Sequence, residues 1–128
     1  MNILDENIDA VAREHLRSLK VHFRHIGSDI GRSGMKDLND VIPLLHNLRN
    51  PTFFTRDKDF YSRSLVHARY CLIHLDVPPK ESAEYIVRLL RHKEFRKKVD
   101  RIGKVIRLSP KRLSYLDVKS AKERHLAW

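Results

Sequence analysis

Two kinds of hydrophobic pattern alternate along this chain. Short, near-continuous apolar runs predict β-strands, and segments with an apolar residue every three or four positions predict helices. The predicted strands cover residues 1–4, 21–26, 52–55, 70–75, 103–108 and 112–118. The predicted helices cover residues 8–19, 37–48, 61–67 and 81–95. This alternation predicts an α/β fold with a mainly parallel central sheet.

The length of 128 residues suits one domain with its own core. We expect a single α/β domain over residues 1–118 and a loose basic tail over residues 119–128. No apolar run reaches the roughly 18 residues of a membrane helix, and the N-terminus lacks the pattern of a signal peptide. The single cysteine, Cys71, lies in an apolar run, where we expect a core residue. These features predict a cytoplasmic protein without a membrane partner.

The net charge of +10 comes entirely from the last third of the chain. Residues 1–85 contain 12 basic and 12 acidic residues, whereas residues 86–128 contain 14 basic and 4 acidic residues. Such a basic segment favours a polyanionic partner such as RNA, although it also serves solubility. Arg88 and Arg91 on the last predicted helix would line an RNA groove or form a solvated helix face.

The first and third predicted strands are followed by acidic residues. Asp57 and Asp59 lie in the loop just past the third strand, and Asp5 follows the first. Asp37 begins the helix that leads to the third strand; Asp40, one turn later, is the alternative acid there and favours the helix dipole. Ligands of open α/β sheets bind at the carboxyl ends of the strands. Carboxylates that meet there would bind Mg²⁺ or Mn²⁺; the alternative for the closely spaced pair is a solvated turn.

Polar residues beside these acids have two interpretations each. Glu6 and Asn7 would add hydrogen bonds that support the site, but Asn7 would equally serve as a helix N-cap. Arg56 and Lys58 flank Asp57 and would either bind phosphate or neutralise the carboxylates in the absence of metal. No glycine-rich phosphate loop accompanies them.

These residues together resemble a known family. Asp5-Glu6-Asn7 after a first strand, an aspartate at a helix start, and the stretch Thr55-Arg56-Asp57-Lys58-Asp59-Phe60 look like a compact PIN-like domain. PIN-like domains are small metal-dependent ribonucleases that include toxins of bacterial toxin–antitoxin pairs. The resemblance covers roughly residues 1–95 and implies a three-layer α/β/α sandwich with a Mg²⁺ or Mn²⁺ cofactor. By position it assigns the acidic cluster to Asp5, Asp37, Asp57 and Asp59, and a supporting hydroxyl to Thr55.

The leading hypothesis from the sequence is a metal-dependent endoribonuclease, the toxin of a toxin–antitoxin pair. Its expected partners are RNA and an antitoxin protein. The sequence leaves open whether a second copy of the chain is also a partner, in a homodimer. The alternative is a PIN-like module that binds RNA or protein without catalysis. A third hypothesis makes Asp57 a phosphoryl acceptor, which would leave Asp59 without a role.

Overall fold

The computed structural model describes residues 1–35 and 38–128. The strands are β1 Asn2–Leu4, β2 Arg24–His25, β3 Thr52–Thr55, β4 Cys71–Leu75, β5 Lys104–Leu108, β6 Leu113–Asp117 and β7 Ser120–Leu126. The helices are α1 Ala10–Ser18, α2 Leu38–His46, α3 Ser82–Leu90 and α4 Lys98–Arg101. Short 3-10 turns cover Lys58–Phe60, Arg63–Leu65 and Pro79–Glu81. The α/β class predicted from the sequence is therefore confirmed.

All these strands join one sheet in the order β2-β1-β3-β4-β5-β6-β7. The first five strands in this order are parallel, and β6 and β7 return antiparallel to β5. The sheet is thus mixed, and the prediction of a mainly parallel sheet is corrected. The hairpin connection after β5 is too short for the crossover that a parallel partner requires.

The C-terminal segment differs from its predicted loose conformation. Ser120–Leu126 forms β7, a strand on the edge of the sheet, although its side chains are mostly exposed and polar. Backbone hydrogen bonds to β6 hold this strand in place. Its sequence has no alternation of apolar and polar residues from which a strand could be predicted. Charged side chains on an edge strand also oppose pairing with other chains.

Three other predicted elements are shorter or of another type. The predicted strand over residues 21–26 is reduced to the two residues of β2. The predicted helix over residues 61–67 is replaced by one 3-10 turn, Arg63–Leu65. The predicted helix over residues 81–95 ends at Leu90, and Phe95 packs into the core from the turn that follows the helix.

Two hydrophobic cores lie against the sheet, one on each face. Leu4 and Phe54 belong to the core that also contains the buried residues of α1 and α3. Their neighbours Ile3 and Phe53 belong to the other core, which contains the buried residues of α2. Since successive strand residues point to opposite faces, a strand covered on both sides reads as a continuous apolar run. The strands covered on both faces can therefore expose polar groups chiefly at their ends.

The core prediction for Cys71 is confirmed. Cys71 is fully buried in β4, and burial raises the pKa of its thiol to about 12. It remains protonated at neutral pH, which suits packing rather than nucleophilic chemistry. Within residues 1–35 and 38–128, no helix has the length and apolar character needed to cross a membrane.

Candidate functional site

Asp5 is fixed at the carboxyl end of β1, beside the last residue of β3. The two strands pair in parallel, and the Asp5 backbone N–H continues their ladder by donating to the Phe54 carbonyl at 2.9 Å. The Thr55 hydroxyl donates to Asp5 Oδ2 at 2.6 Å, and the Glu6 backbone N–H donates to Asp5 Oδ1 at 2.7 Å. Both carboxylate oxygens are therefore held in place, and only 2% of the residue is exposed.

The Thr55 hydroxyl connects the loops that follow β1 and β3. It accepts hydrogen bonds from the Asp57 backbone N–H at 3.0 Å and from Asn7 Nδ2 at 3.4 Å, while it donates to Asp5. Asn7 Oδ1 in turn accepts from the Arg56 backbone N–H at 3.2 Å. One donor and two acceptor positions use the full capacity of a hydroxyl.

The position of Asn7 follows from the cap of α1. Asp9, not Asn7, is the N-cap residue, because its side chain accepts from the Ala12 backbone N–H at 2.8 Å. The alternative prediction, in which Asn7 is the N-cap of this helix, is therefore wrong. Asn7 instead joins the ends of β1 and β3 through Thr55 and Arg56.

The charge of Asp5 has no cationic partner in the described part of the chain. Burial raises its pKa above the usual value, the hydrogen bonds from Thr55 and Glu6 oppose that rise, and the negative charges of Asp57 and Glu6 add to it. A buried carboxylate with carboxylates beside it is costly unless a cation compensates it. The electrostatics of this position therefore favour a bound cation.

Asp57 faces Asp5 across an open cleft. This cleft, the acidic cleft, encloses about 500 Å³ and is lined by Asp5, Glu6, Asn7 and Asp57. Asp57 Oδ1 accepts from the Asp59 backbone N–H at 2.9 Å and so caps the 3-10 turn Lys58–Phe60. Asp59 itself is exposed and is not among the residues that line this cleft.

Glu6 attaches the loop that precedes α2 to the cleft. Its Oε2 accepts from the Gly34 backbone N–H at 2.7 Å, and its Oε1 accepts from the Ser33 hydroxyl at 3.4 Å. Asp37, the preferred acid at the start of α2, lies outside the described residues. The alternative acid, Asp40, pairs with Arg32 at 3.6 Å and does not line the cleft.

The cleft gathers oxygen donors rather than nitrogen or sulfur. Among residues 1–35 and 38–128, no group of three or more histidine, cysteine, aspartate or glutamate side chains is placed to hold a metal ion. The carboxylates of Asp5 and Asp57 nevertheless match the hard ligands that Mg²⁺ and Mn²⁺ prefer. The donor chemistry thus fits the expected metal.

A second cleft adjoins the first at Asp57. It encloses about 560 Å³, and its charged and imidazole side chains are Arg56, Asp57, Lys58, His74, Asp76 and Arg107. The Arg56 guanidinium donates to the Val77 carbonyl at 3.1 Å and to the Ser82 hydroxyl at 3.2 Å, which holds it at the start of α3. Lys58 is exposed in the same cleft.

The sequence analysis missed His74 and Arg107. In the register of the sheet, His74 lies opposite Thr55 of β3 and opposite Arg107 of β5. His74 and Arg107 therefore continue, on the next two strands, the row of residues formed by Asp5 and Thr55. Burial lowers the pKa of His74, and the imidazole is therefore neutral at neutral pH. Its signal in the sequence is a lone histidine in the apolar run Cys71–Leu75.

Arg88 of α3 and Arg91, which follows the helix, lie away from both clefts. Arg88 packs over the Trp128 ring at 4.3 Å from the ring centroid. Measured along the helix from Ser82, which contacts Arg56, Arg88 and Arg91 are displaced by about 9 Å and about 13 Å. Neither residue lines the clefts at the carboxyl edge.

Comparison of the chain with protein-family models, with curated proteins and with solved structures finds no match. The resemblance to PIN-like domains therefore stays a prediction that rests on the quoted residues. We infer the function from the chemistry and geometry of the two clefts.

Replacing Thr55 with valine should destabilise the metal-free protein more at neutral than at acidic pH. The variant leaves the Asp57 N–H and the Asn7 amide without their acceptor, which costs about 1–2 kcal/mol at any pH. It also removes a hydrogen bond that lowers the pKa of Asp5. Because the folded-state pKa of Asp5 lies above its unfolded value, the destabilisation from its charged form develops as pH rises from the unfolded pKa and is complete above the folded pKa. The variant has a still higher folded pKa, so its extra loss should appear as pH rises from the folded pKa of the wild type to that of the variant.

Urea unfolding in EDTA across this pH range measures the difference between wild type and variant. Thr55→Ser retains the hydroxyl and is the matched control, for which we expect a small loss that does not depend on pH. A Thr55→Val difference that is constant with pH would contradict the described coupling between Thr55 and Asp5.

Proposed function

We propose that this chain is a metal-dependent endoribonuclease with a PIN-like, three-layer α/β/α arrangement. The observation that carries the proposal is the buried carboxylate of Asp5, which faces Asp57 in an open cleft and has no cationic partner in the described chain. Such an arrangement lowers the stability of the metal-free protein, which is typical of functional sites. It also lies at the sheet edge where α/β folds bind their ligands.

Asp5 and Asp57 would hold Mg²⁺ or Mn²⁺, with Asp37 as the expected third acid and Asp59 beside them. When bound, such an ion supplies charge neutralisation at phosphate and lowers the pKa of water. The chain's own contribution is orientation. Thr55 and the Glu6 N–H fix both oxygens of Asp5, and the Asp59 N–H fixes one oxygen of Asp57.

RNA is the substrate that the charge distribution supports best. Arg56 and Lys58 lie beside Asp57 at the second cleft, where they can receive the phosphates of a strand. The excess of basic residues after residue 86 supplies long-range attraction for a polyanion. In a toxin of this kind, an antitoxin protein would restrain the activity by binding the protein.

The alternative function is a PIN-like module that binds RNA or protein without cutting. The observation that favours it is that only two aspartates, Asp5 and Asp57, line the acidic cleft within the described residues. Binding in that case should depend strongly on salt and should not respond to divalent ions.

The direct test is cleavage of a labelled single-stranded RNA by the purified protein. We expect internal cleavage in Mn²⁺ or Mg²⁺ and none in EDTA. Recovery of activity when Mn²⁺ is restored would exclude irreversible damage by the chelator. Equal cleavage with and without EDTA would overturn the proposal, and RNA binding without cleavage under any divalent ion would favour the binding module.

A further inference from the structure

A row of polar residues crosses the carboxyl edge of the sheet. In register, Asp5 lies beside Thr55, Thr55 beside His74, and His74 beside Arg107. Neighbouring strands are about 4.8 Å apart, so His74 and Arg107 lie about 10 Å and about 14 Å across the sheet from β1. The row therefore leads away from the acidic cleft in one direction.

The second cleft, which lies along this row, contains guanidinium N–H groups that have no acceptor in the described structure. Arg107 donates through Nε at 3.1 Å and through Nη2 to a single oxygen of Asp76, and its Nη1 group makes no hydrogen bond in the described structure. Arg56 donates through Nη1 alone, which leaves Nε and Nη2 for a ligand. Guanidinium groups with free donors in an open cleft are suited to phosphate oxygens.

His74 adds a neutral donor to these cations. The residue is only 7% exposed, and its Nδ1 is buried without a hydrogen-bond partner in the part of the chain described. Because no described group could accept a hydrogen bond from an Nδ1–H, the neutral ring favours the tautomer that carries its proton on Nε2.

The basic surface continues beyond Arg107. A third cleft of about 600 Å³ shares Asp76 and Arg107 with the second and is also lined by Lys111 and Arg112. A lone phosphate ion would occupy one position of this surface, whereas a strand with regular phosphates would contact all of it. The extended arrangement therefore favours a nucleic-acid strand over a small anion.

We propose that the cleft formed by Arg56, His74 and Arg107 is a phosphate-binding subsite for a single-stranded nucleic acid. The strand passes from the acidic cleft, across this subsite, towards Lys111 and Arg112. The assignment of the strand as RNA rests on the proposed function, but the subsite itself does not require catalysis. Arg107 contributes charge and His74 contributes a hydrogen bond.

Fluorescence anisotropy with a short labelled single-stranded RNA in EDTA tests the subsite without cleavage. Arg107→Gln should weaken binding about tenfold and lower the slope of log affinity against log salt by about 1. His74→Leu should weaken binding about fivefold with an unchanged salt slope, because the neutral ring releases no counterion. His74→Gln, which retains an amide donor, should recover part of that loss.

Two further variants separate the subsite from general effects. Arg88→Gln removes the same charge on α3, away from the cleft, and should change the salt slope by less than Arg107→Gln does. Asp76→Asn combined with Arg107→Gln should show the same loss as Arg107→Gln, which excludes an effect of the released carboxylate.

The outcomes distinguish this subsite from the nuclease proposal. Predicted binding changes without Mn²⁺-dependent cleavage would support the subsite and overturn the nuclease. If the wild type cleaves RNA but Arg107→Gln and His74→Leu bind RNA as tightly as the wild type does, the subsite alone is overturned. Absence of RNA binding in EDTA would also overturn it.

Discussion

Replacing Asp5 with asparagine is expected to reduce Mn²⁺-dependent RNA cleavage by about a thousandfold, or about 4 kcal/mol of transition-state free energy. The substitution removes the negative charge from the buried side of the cleft, where no described cation compensates it. An amide is a weak ligand for a hard divalent ion, so the variant loses the ion at concentrations that saturate the wild type. Initial rates of RNA cleavage at saturating Mn²⁺ measure the effect.

Asp57→Asn should cause a loss of similar size without unfolding the protein. The asparagine side-chain oxygen can still accept from the Asp59 N–H, so the cap of the 3-10 turn is retained. Glu84→Gln, on the exposed face of α3, is the control for the loss of one negative charge. Full activity in both aspartate variants would contradict the metal site.

The same assay decides which acid at the start of α2 belongs to the site. Asp37→Asn is expected to lose activity, whereas Asp40→Asn is expected to retain most of it. Asp40 already pairs with Arg32 and does not line the acidic cleft. The reverse result would assign the role to Asp40.

Replacing Arg101 with leucine is expected to lower the free energy of unfolding by about 3 kcal/mol. Arg101 is buried where β3 and β5 begin, at the opposite edge of the sheet from the clefts. Its guanidinium donates to the Phe95 carbonyl at 2.8 Å, to the Arg96 carbonyl at 3.0 Å and to the Thr52 hydroxyl at 3.2 Å. Leucine fills part of the volume but leaves these acceptors unsatisfied in a buried position.

Urea unfolding of Arg101→Leu beside Arg91→Leu measures this effect. Arg91 is exposed at the end of α3, so its replacement should change stability by less than about 0.5 kcal/mol. Arg101→Lys should lie between the two, because an ammonium group cannot reach three acceptors with the geometry of a guanidinium. Equal losses in Arg101→Leu and Arg91→Leu would contradict the described hydrogen-bond network.

Local patterns predict the central part of this fold well. Thr52–Thr55 is a β-prone segment with two phenylalanines at its centre, and Cys71–Leu75 is apolar except for His74. The structure makes each of them a strand buried on both faces. The positions of Asp5 and Asp57 just past predicted strands are sufficient to place both at the carboxyl edge. Parallel pairing of β1 with β3 then brings these positions together.

Features that depend on register or on backbone pairing could not be predicted in this way. The polar side chains of β7 give no period of two, because backbone hydrogen bonds to β6 define that strand. The row from Thr55 through His74 to Arg107 follows from strand register, which one sequence does not specify. The hydrogen bond from Arg101 to Thr52 likewise joins α4 to a residue distant in the sequence.

The central claim is that Asp5 and Asp57 bind a divalent metal ion, and a Mn²⁺ titration followed by thermal unfolding tests it most directly. Wild type should gain stability with Mn²⁺, by about 2.7 kcal/mol at a concentration one hundred times the dissociation constant. Asp57→Asn should gain none, and without metal it should be at least as stable as wild type, because the repulsion with Asp5 is removed. A wild type that Mn²⁺ does not stabilise, or equal stabilisation of both proteins, would contradict the account.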